Sequence, residues 1–250
     1  MALTMKRWSI TFHIHTSALS SSLSTVTSSI TFKYKHLAGF LGAMVTQYKK
    51  FQDFISWFDE LLLKACIVDN RYPAKGFLVY LENGTFILKK IRELLEKELE
   101  RTGHKEMMFP LVITLDNFTR EAEHVKGFSK EVFYMMERGA KEPSLVVRPT
   151  SECVMYPMFR LWIRSHANLP LKVYQSVNVY RRETKATRTL YRIREIPWNE
   201  AHTVHETPKE AENQVREAVE IYEKVLKMLG ISYLILKRPD FDKFAGAVYS

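Results

Sequence analysis

Cysteine is scarce in this 250-residue chain. Cys66 and Cys153 are the only two, and no CxxC is present. Such spacing offers no metal framework, and one possible disulfide is weak evidence for secretion. Two reduced thiols in a cytoplasmic protein are therefore expected. Long apolar runs are missing as well. No stretch approaches the ~18 consecutive apolar residues of a membrane-spanning helix. Glycine-rich phosphate loops are absent: neither GxGxxG nor GxxxxGK followed by Ser or Thr occurs. A bound nucleotide would be held without a Rossmann or P-loop device. There is no internal repeat. Acidic residues are absent from positions 1–52, where Lys6, Arg7, Lys33, Lys35, Lys49 and Lys50 supply +6 of the net charge of +9. The rest of the chain is only mildly basic, which is compatible with a nucleic-acid partner without demanding one.

With 46% apolar and 26% charged residues, the composition is globular and suffices for one sizeable core or a domain plus an appendage. Residues 1–43 stand apart from residues 44–250. Between basic flanks they carry SALSSSLSTVTSS at 17–29. This is the composition of an organellar transit peptide. A passive tail fits the same residues, and so does a start site assigned too early, with Met44 opening the domain. The first reading sends the protein to an organelle and the others leave it cytoplasmic.

From Phe51 the spacing turns helical, with Phe54, Ile55, Phe58, Leu61, Leu62 and Ala65 on one side. Residues 77–81 read as a short strand and Asn83-Gly84 as a turn. The spacing then predicts a helix over 85–101, lined by Ile87, Ile91, Leu94, Leu95 and Leu99 and closed by Gly103. Residues 106–113 are strand-like, with Pro110 marking an edge or a bend. Leu145–Val147 reads as a strand running into Arg148-Pro149-Thr150-Ser151-Glu152 and a helix beyond. Residues 173–180 and 189–196 predict an antiparallel hairpin with a basic tip at 181–188. Thr207, Pro208 and Glu210 open a capped helix reaching Leu229. Its expected buried stripe is Ala211, Val215, Ala218, Tyr222, Val225 and Leu229. A last strand is expected over 231–236. This order predicts an α+β fold, an antiparallel sheet flanked by helices, and not a doubly wound parallel sheet.

The hairpin carries the chemistry. Arg181, Arg182, Lys185, Arg188, Arg192 and Arg194 crowd into it. Arginine forks match phosphate and carboxylate oxygens bidentately, so the ribbon suits a polyanion such as a nucleotide triphosphate. A solvated, salt-bridged ribbon is the bland alternative. Trp198, Glu200 and His202 alternate and so share one face of an extended chain. An indole, a carboxylate and an imidazole suit a small ligand with an ammonium and an apolar ring. A half-exposed strand with a buried Trp fits too. His202 and His205 lack an HExxH context or a cysteine partner, so no metal site is expected. Thr150 or Ser151 could cap the helix that follows. Alternatively, that loop offers a hydroxyl and a carboxylate to a ligand amine.

Three segments in order, VVRPTSE at 146–152, NVYRRETKATRTLYRIREIPWNEAHTVH at 178–205 and FDKFAGAVYS at 241–250, resemble prolyl-tRNA synthetases of the archaeal/eukaryotic type. DNRYPAKGFLVYLENG at 69–84 and EAEHVKGF at 121–128 resemble the same family. RPTSE is similar to its proline-binding loop, the hairpin to class II motif 2, and the helix from Gly84 with the strand ending at Pro110 to motif 1.

The resemblance implies the class II antiparallel sheet, here truncated, with motif 3 and the anticodon-binding domain absent. It implies a homodimer that uses ATP and Mg2+ to make prolyl-adenylate and passes proline to tRNA(Pro). A catalytically inactive paralogue acting as a binding or regulatory protein is the alternative. Carried over by motif, Thr150, Glu152, Trp198, Glu200 and His202 would form the proline pocket, with Phe128 as a lid. Arg181 would be the catalytic arginine, touching both the α-phosphate and the proline carboxylate. Glu183, Arg192 and Ile193 would meet ATP, and Lys185 and Arg188 the tRNA acceptor end. The chain departs from the family at Cys153 (usually Thr), Tyr180 (Phe), Thr189 (Pro) and Val248 (acidic).

Overall fold

The computed structural model describes residues 54–120, 131–242 and 247–248. The chain divides between Lys89 and Lys90 into two compact units. In the first, helix α1 (Phe54–Lys64) buries Leu62. A short antiparallel pair follows, β1 (Val68–Asp69) with β2 (Val79–Tyr80). Helix α2 (Glu82–Arg101) then starts three residues earlier than the spacing predicts. Asn83-Gly84 is thus the helix's first turn and not a reverse turn. The backbone amides of Asn83 and Gly84 both reach the Cys66 carbonyl, at 3.0 and 3.3 Å. A Cβ at Gly84 would lie 2.0 Å from the Ile67 oxygen. The glycine permits a close backbone approach, which a dipeptide turn preference cannot register.

In the second unit, β7 (Leu171–Tyr180) pairs antiparallel with β8 (Glu195–Val204) over ten residues. The other edge of β7 carries β3 (Lys105–Glu106) in parallel, so one short pair departs from the expected antiparallel pattern. Helix α5 (Pro208–Met228) and α2 pack with this sheet through Leu95, Leu99, Tyr174, Ile221 and Val225. A second antiparallel sheet runs in the order β4 (Val112–Thr114), β6 (Leu145–Val147), β5 (Phe133–Met135). Against it lie helix α3 (Leu115–Arg120) and helix α4 (Glu152–Trp162). Ile113, Phe118, Val132, Val146 and Cys153 form that core. Cys153 is therefore a small core filler. Phe109, Met155, Phe159 and Val173 form a third cluster between α4 and β7.

Several boundaries differ from the expected ones. The strand-like run 106–113 splits into β3 and β4, which belong to different sheets. Pro110 has no amide to give a ladder, and Arg148 takes the carbonyls around it instead. The second hairpin strand begins at Glu195, six residues later than expected, because residues 188–192 close on their own bridge. The capping box on α5 is present: Thr207 Oγ1 accepts from the Glu210 amide at 3.2 Å, and Glu210 Oε2 accepts from the Thr207 amide at 3.0 Å. Its buried face, however, includes Gln214 and Ile221 in place of Val215 and Ala218. Gln214 turns inward to donate to Glu217 at 2.9 Å, which no hydrophobic stripe can indicate. Residues 231–236 form no strand, and Leu234 and Leu236 are exposed. No described strand lies beside them to take up their backbone groups.

Candidate active site

The register of the β7–β8 hairpin sets the site. Gln175 stands opposite Glu200, Val177 opposite Trp198 and Val173 opposite His202. The two-residue period places Trp198, Glu200 and His202 on one face, as expected from the sequence. Glu200 and His202 are buried, at 8% and 9% exposure. A buried carboxylate needs partners, and Glu200 has them on both oxygens. Oε1 accepts from Ser151 Oγ at 2.5 Å and from Gln175 Nε2 at 2.7 Å. Oε2 lies 3.2 Å from His202 Nε2. Burial pushes the Glu200 carboxyl up, but His202, Ser151 and Gln175 together outweigh burial and hold it below the usual range. His202 Nδ1 is 3.4 Å from the Tyr156 hydroxyl, and the two rings meet edge-on.

The loop at 148–152 is held from beneath. Arg148 is buried, and its guanidinium donates to the Asn178 carbonyl at 3.0 Å and the Phe109 carbonyl at 2.8 Å. Burial pushes its pKa down, partly countered by Glu200 and Tyr180. The Tyr180 amide returns a bond to the Arg148 carbonyl at 2.9 Å. Thr150 Oγ1 donates to the Glu152 carboxylate. Ser151 does occupy the N-cap of α4, yet its side chain does not cap. Its hydroxyl is committed to Glu200, which corrects the capping expectation for that residue.

Arg181 follows directly on β7. Its Nε donates to the Pro149 carbonyl at 3.2 Å, and its guanidinium carbon lies 5.3 Å from the centre of the Trp198 ring. Burial pushes the guanidinium pKa down, and Glu152, Glu131, Glu200 and Glu183 oppose that. A guanidinium this basic stays charged. Trp198 Nε1 is buried and has no hydrogen-bond partner among the described residues. Thr150, Glu152, Arg181, Trp198, Glu200 and His202 thus converge on one place.

The other expected residues lie in the 181–194 loop. Glu183 faces Arg192 at 3.6 Å, and Arg194 donates to the Glu183 carbonyl at 3.2 Å. Arg188 and Arg192 exchange backbone bonds of 2.8 and 2.9 Å around Leu190, whose φ is 62°. Ile193 is buried, while Lys185 and Arg188 are exposed. Phe128 lies outside the described residues. Gln175 and Tyr156 escaped the sequence reading, and Ser151 entered it only as a cap. The cross-strand position of Gln175 opposite Glu200 was the signal available for the first. Among the described residues, no group of three or more His, Cys, Asp or Glu could hold a metal ion. No helix there is long and apolar enough to cross a membrane.

Residues 133–249 match the tRNA synthetase class II core domain (G, H, P, S and T). The chain is 50% identical over 210 residues to a proline--tRNA ligase of Pyrococcus abyssi, covering 83% of this chain and 44% of the relative. It superimposes with a TM-score of 0.74 and 38% identity on Giardia lamblia prolyl-tRNA synthetase in complex with prolyl-adenylate, covering 78% of this chain and 39% of that one. Cryptosporidium parvum prolyl-tRNA synthetase complexed with L-proline and AMP gives a TM-score of 0.71 at 27% identity, covering 79% and 39%. The chain therefore spans less than half the length of the relatives it matches.

Proposed function

We propose that this chain, a homologue of the prolyl-tRNA synthetases carrying class II core over residues 133–249, supplies the proline- and ATP-contacting half of a proline–tRNA ligase. The observation that carries the reading is a partly buried arginine, Arg181, set among four carboxylates and lying near the face of Trp198. A cation and anions arranged this way suit a zwitterionic amino acid with an apolar ring. The Glu200 and Glu152 carboxylates would take the proline ammonium, Trp198 would cover the ring, and His202 would close the pocket edge. Thr150 orients Glu152. Arg181 would take the proline carboxylate and the α-phosphate together.

The reaction needs no protein nucleophile. The proline carboxylate oxygen attacks the α-phosphorus of ATP, the bond to pyrophosphate breaks, and prolyl-adenylate forms. The tRNA 3′-terminal hydroxyl then attacks the activated carbonyl and releases AMP. Arg181 holds the reacting oxygens together and stabilises charge developing on the phosphate. Glu183, Arg192 and Ile193 would meet ATP, whose phosphates would carry Mg2+ with them, a common way for this ion to be held. Lys185 and Arg188, exposed in the loop, suit the tRNA acceptor end. Exposed Phe86, Ile87 and Ile91 on α2 support a homodimer, and residues 44–250 would form the catalytic segment.

Proline-dependent ATP–pyrophosphate exchange tests the proposal. Exchange should exceed background and should fall at least ~100-fold in Arg181→Ala, within the range seen on removing one transition-state donor. Full exchange in that variant would remove Arg181 from the chemistry. Proline binding without exchange would favour a binding paralogue.

A further inference from the structure

Gln175 is buried to 1% exposure beneath the site, and three hydrogen bonds hold its side-chain amide. Its Oε1 accepts from the Phe109 amide at 3.0 Å. A backbone N–H can only donate, so this contact assigns the orientation of the side-chain amide. Nε2 must therefore face the opposite way, where it donates to Ser151 Oγ at 2.8 Å and to Glu200 Oε1 at 2.7 Å. Ser151 in turn donates to the same Glu200 oxygen at 2.5 Å. The three side chains form a closed triangle, in which the direction of each bond follows from the one before it.

We infer that Gln175 is a positioning residue: its amide holds the Glu200 carboxylate, ionised and in one orientation, for the ammonium of the amino-acid substrate. This rests on the reading of Glu200 given above. The competing role is purely structural, an anchor for the Phe109 amide that happens to lie beside the site. The two ends of one amide serve the two roles, so chemistry can separate them.

Gln175→Glu does this. One carboxyl oxygen still accepts from the Phe109 amide, while the donor toward Glu200 is replaced by an ionisable oxygen. When protonated, the introduced carboxyl would again donate to Glu200, and the pair would carry the net charge that Glu200 alone carries in the native chain. When ionised, it repels Glu200. Two buried carboxylates this close share a proton, so one titrates at raised pH. Among the described residues, the other charged or titratable groups facing the pair are His202 at 3.2 Å from Glu200, Tyr156 beyond it, and Arg148 and Arg181.

The test is calorimetric binding of L-proline to the full chain, with each variant expressed as a ratio to the native protein at each pH. Gln175→Glu should bind proline about 10–100-fold more weakly at high pH, the range for a lost hydrogen bond to a charged group, and should recover toward a ratio of one on acidification. Gln175→Met, which can never donate, should stay weak throughout. Affinity for a non-hydrolysable ATP analogue should not change in either variant. A Gln175→Glu ratio that is flat with pH, or proline binding as tight as native at high pH, overturns the inference in favour of the anchor role. If the native chain binds no proline, the functional reading falls, and the Glu200 carboxyl titration by 13C NMR decides Gln175 separately. An upward shift of that titration in Gln175→Met upholds the positioning role, and an unchanged one removes it.

Discussion

Gly84→Ala sets two physical effects against each other. Position 84 lies in the first turn of α2, where replacing glycine with alanine gains at most the about 1 kcal/mol found in a helix interior. Here the new Cβ would sit 2.0 Å from the Ile67 carbonyl oxygen and 2.9 Å from its carbon. Both are backbone atoms, so no flexible side chain can give way. The helix start must retreat by about 1.4 Å to restore van der Waals contact. That retreat strains the bonds to the Cys66 carbonyl from Asn83 and Gly84, at 3.0 and 3.3 Å. It also strains the bond from Asn83 Nδ2 to the Ala65 carbonyl at 2.8 Å. Three hydrogen bonds at about 1 kcal/mol each exceed the propensity gain, giving a net loss of about 2 kcal/mol. Native-state amide exchange of residues 62–88 reads this directly. The variant should exchange about 30-fold faster there, the equivalent of that free energy. Exchange that is unchanged or slower would refute the reasoning, since propensity would then have won.

Three further perturbations follow from the same geometry. Thr207→Ala removes the hydroxyl that accepts from the Glu210 amide; urea unfolding should show a loss of about 1 kcal/mol, recovered largely by Thr207→Ser. Tyr180→Phe deletes the donor to Glu195 Oε1 at 2.8 Å but leaves that oxygen its bond from Asn178; the cost should be about 0.5–1.5 kcal/mol by the same assay. His104 and His205 both have pKa values below the ordinary 6.5, first through burial and then through the nearby Lys172 charge. The unfolded chain therefore binds protons more readily than the folded one. Their contribution is complete above about pH 6.5 and is lost as pH falls below it toward the folded values. Unfolding midpoints between pH 7 and pH 5 should fall on acidification, and less steeply in His104→Gln; an identical slope would show that His104 plays no part.

Much of the site was legible because short-range rules govern it. Alternation places Trp198, Glu200 and His202 on one face whatever surrounds them, and Thr207 with Glu210 spells a capped helix start. The hairpin and the buried stripe at Leu95 and Leu99 follow from the same local periodicity. What local rules missed depends on residues distant in the chain. Asn83-Gly84 reads as a turn until the Ile67 carbonyl arrives against it. Ser151 reads as a cap until Glu200, on another element, claims its hydroxyl. Gln214 lies outside the apolar stripe of its helix until His104, far away in the chain, comes within 3.5 Å of its amide.

The sequence by itself determined most of the helices, the long hairpin with its charge pattern and the family likeness, since each depends on neighbours a few positions apart. The tertiary structure alone decided where strand β8 begins, which glycine needs its missing side chain, and that residues 231–236 stay out of a sheet. It also decided that the orientation of Glu200 is set by Gln175 and Ser151. Those are questions of which buried donors and acceptors meet, and a hydrogen bond between distant residues has no local signature before the chain closes on itself.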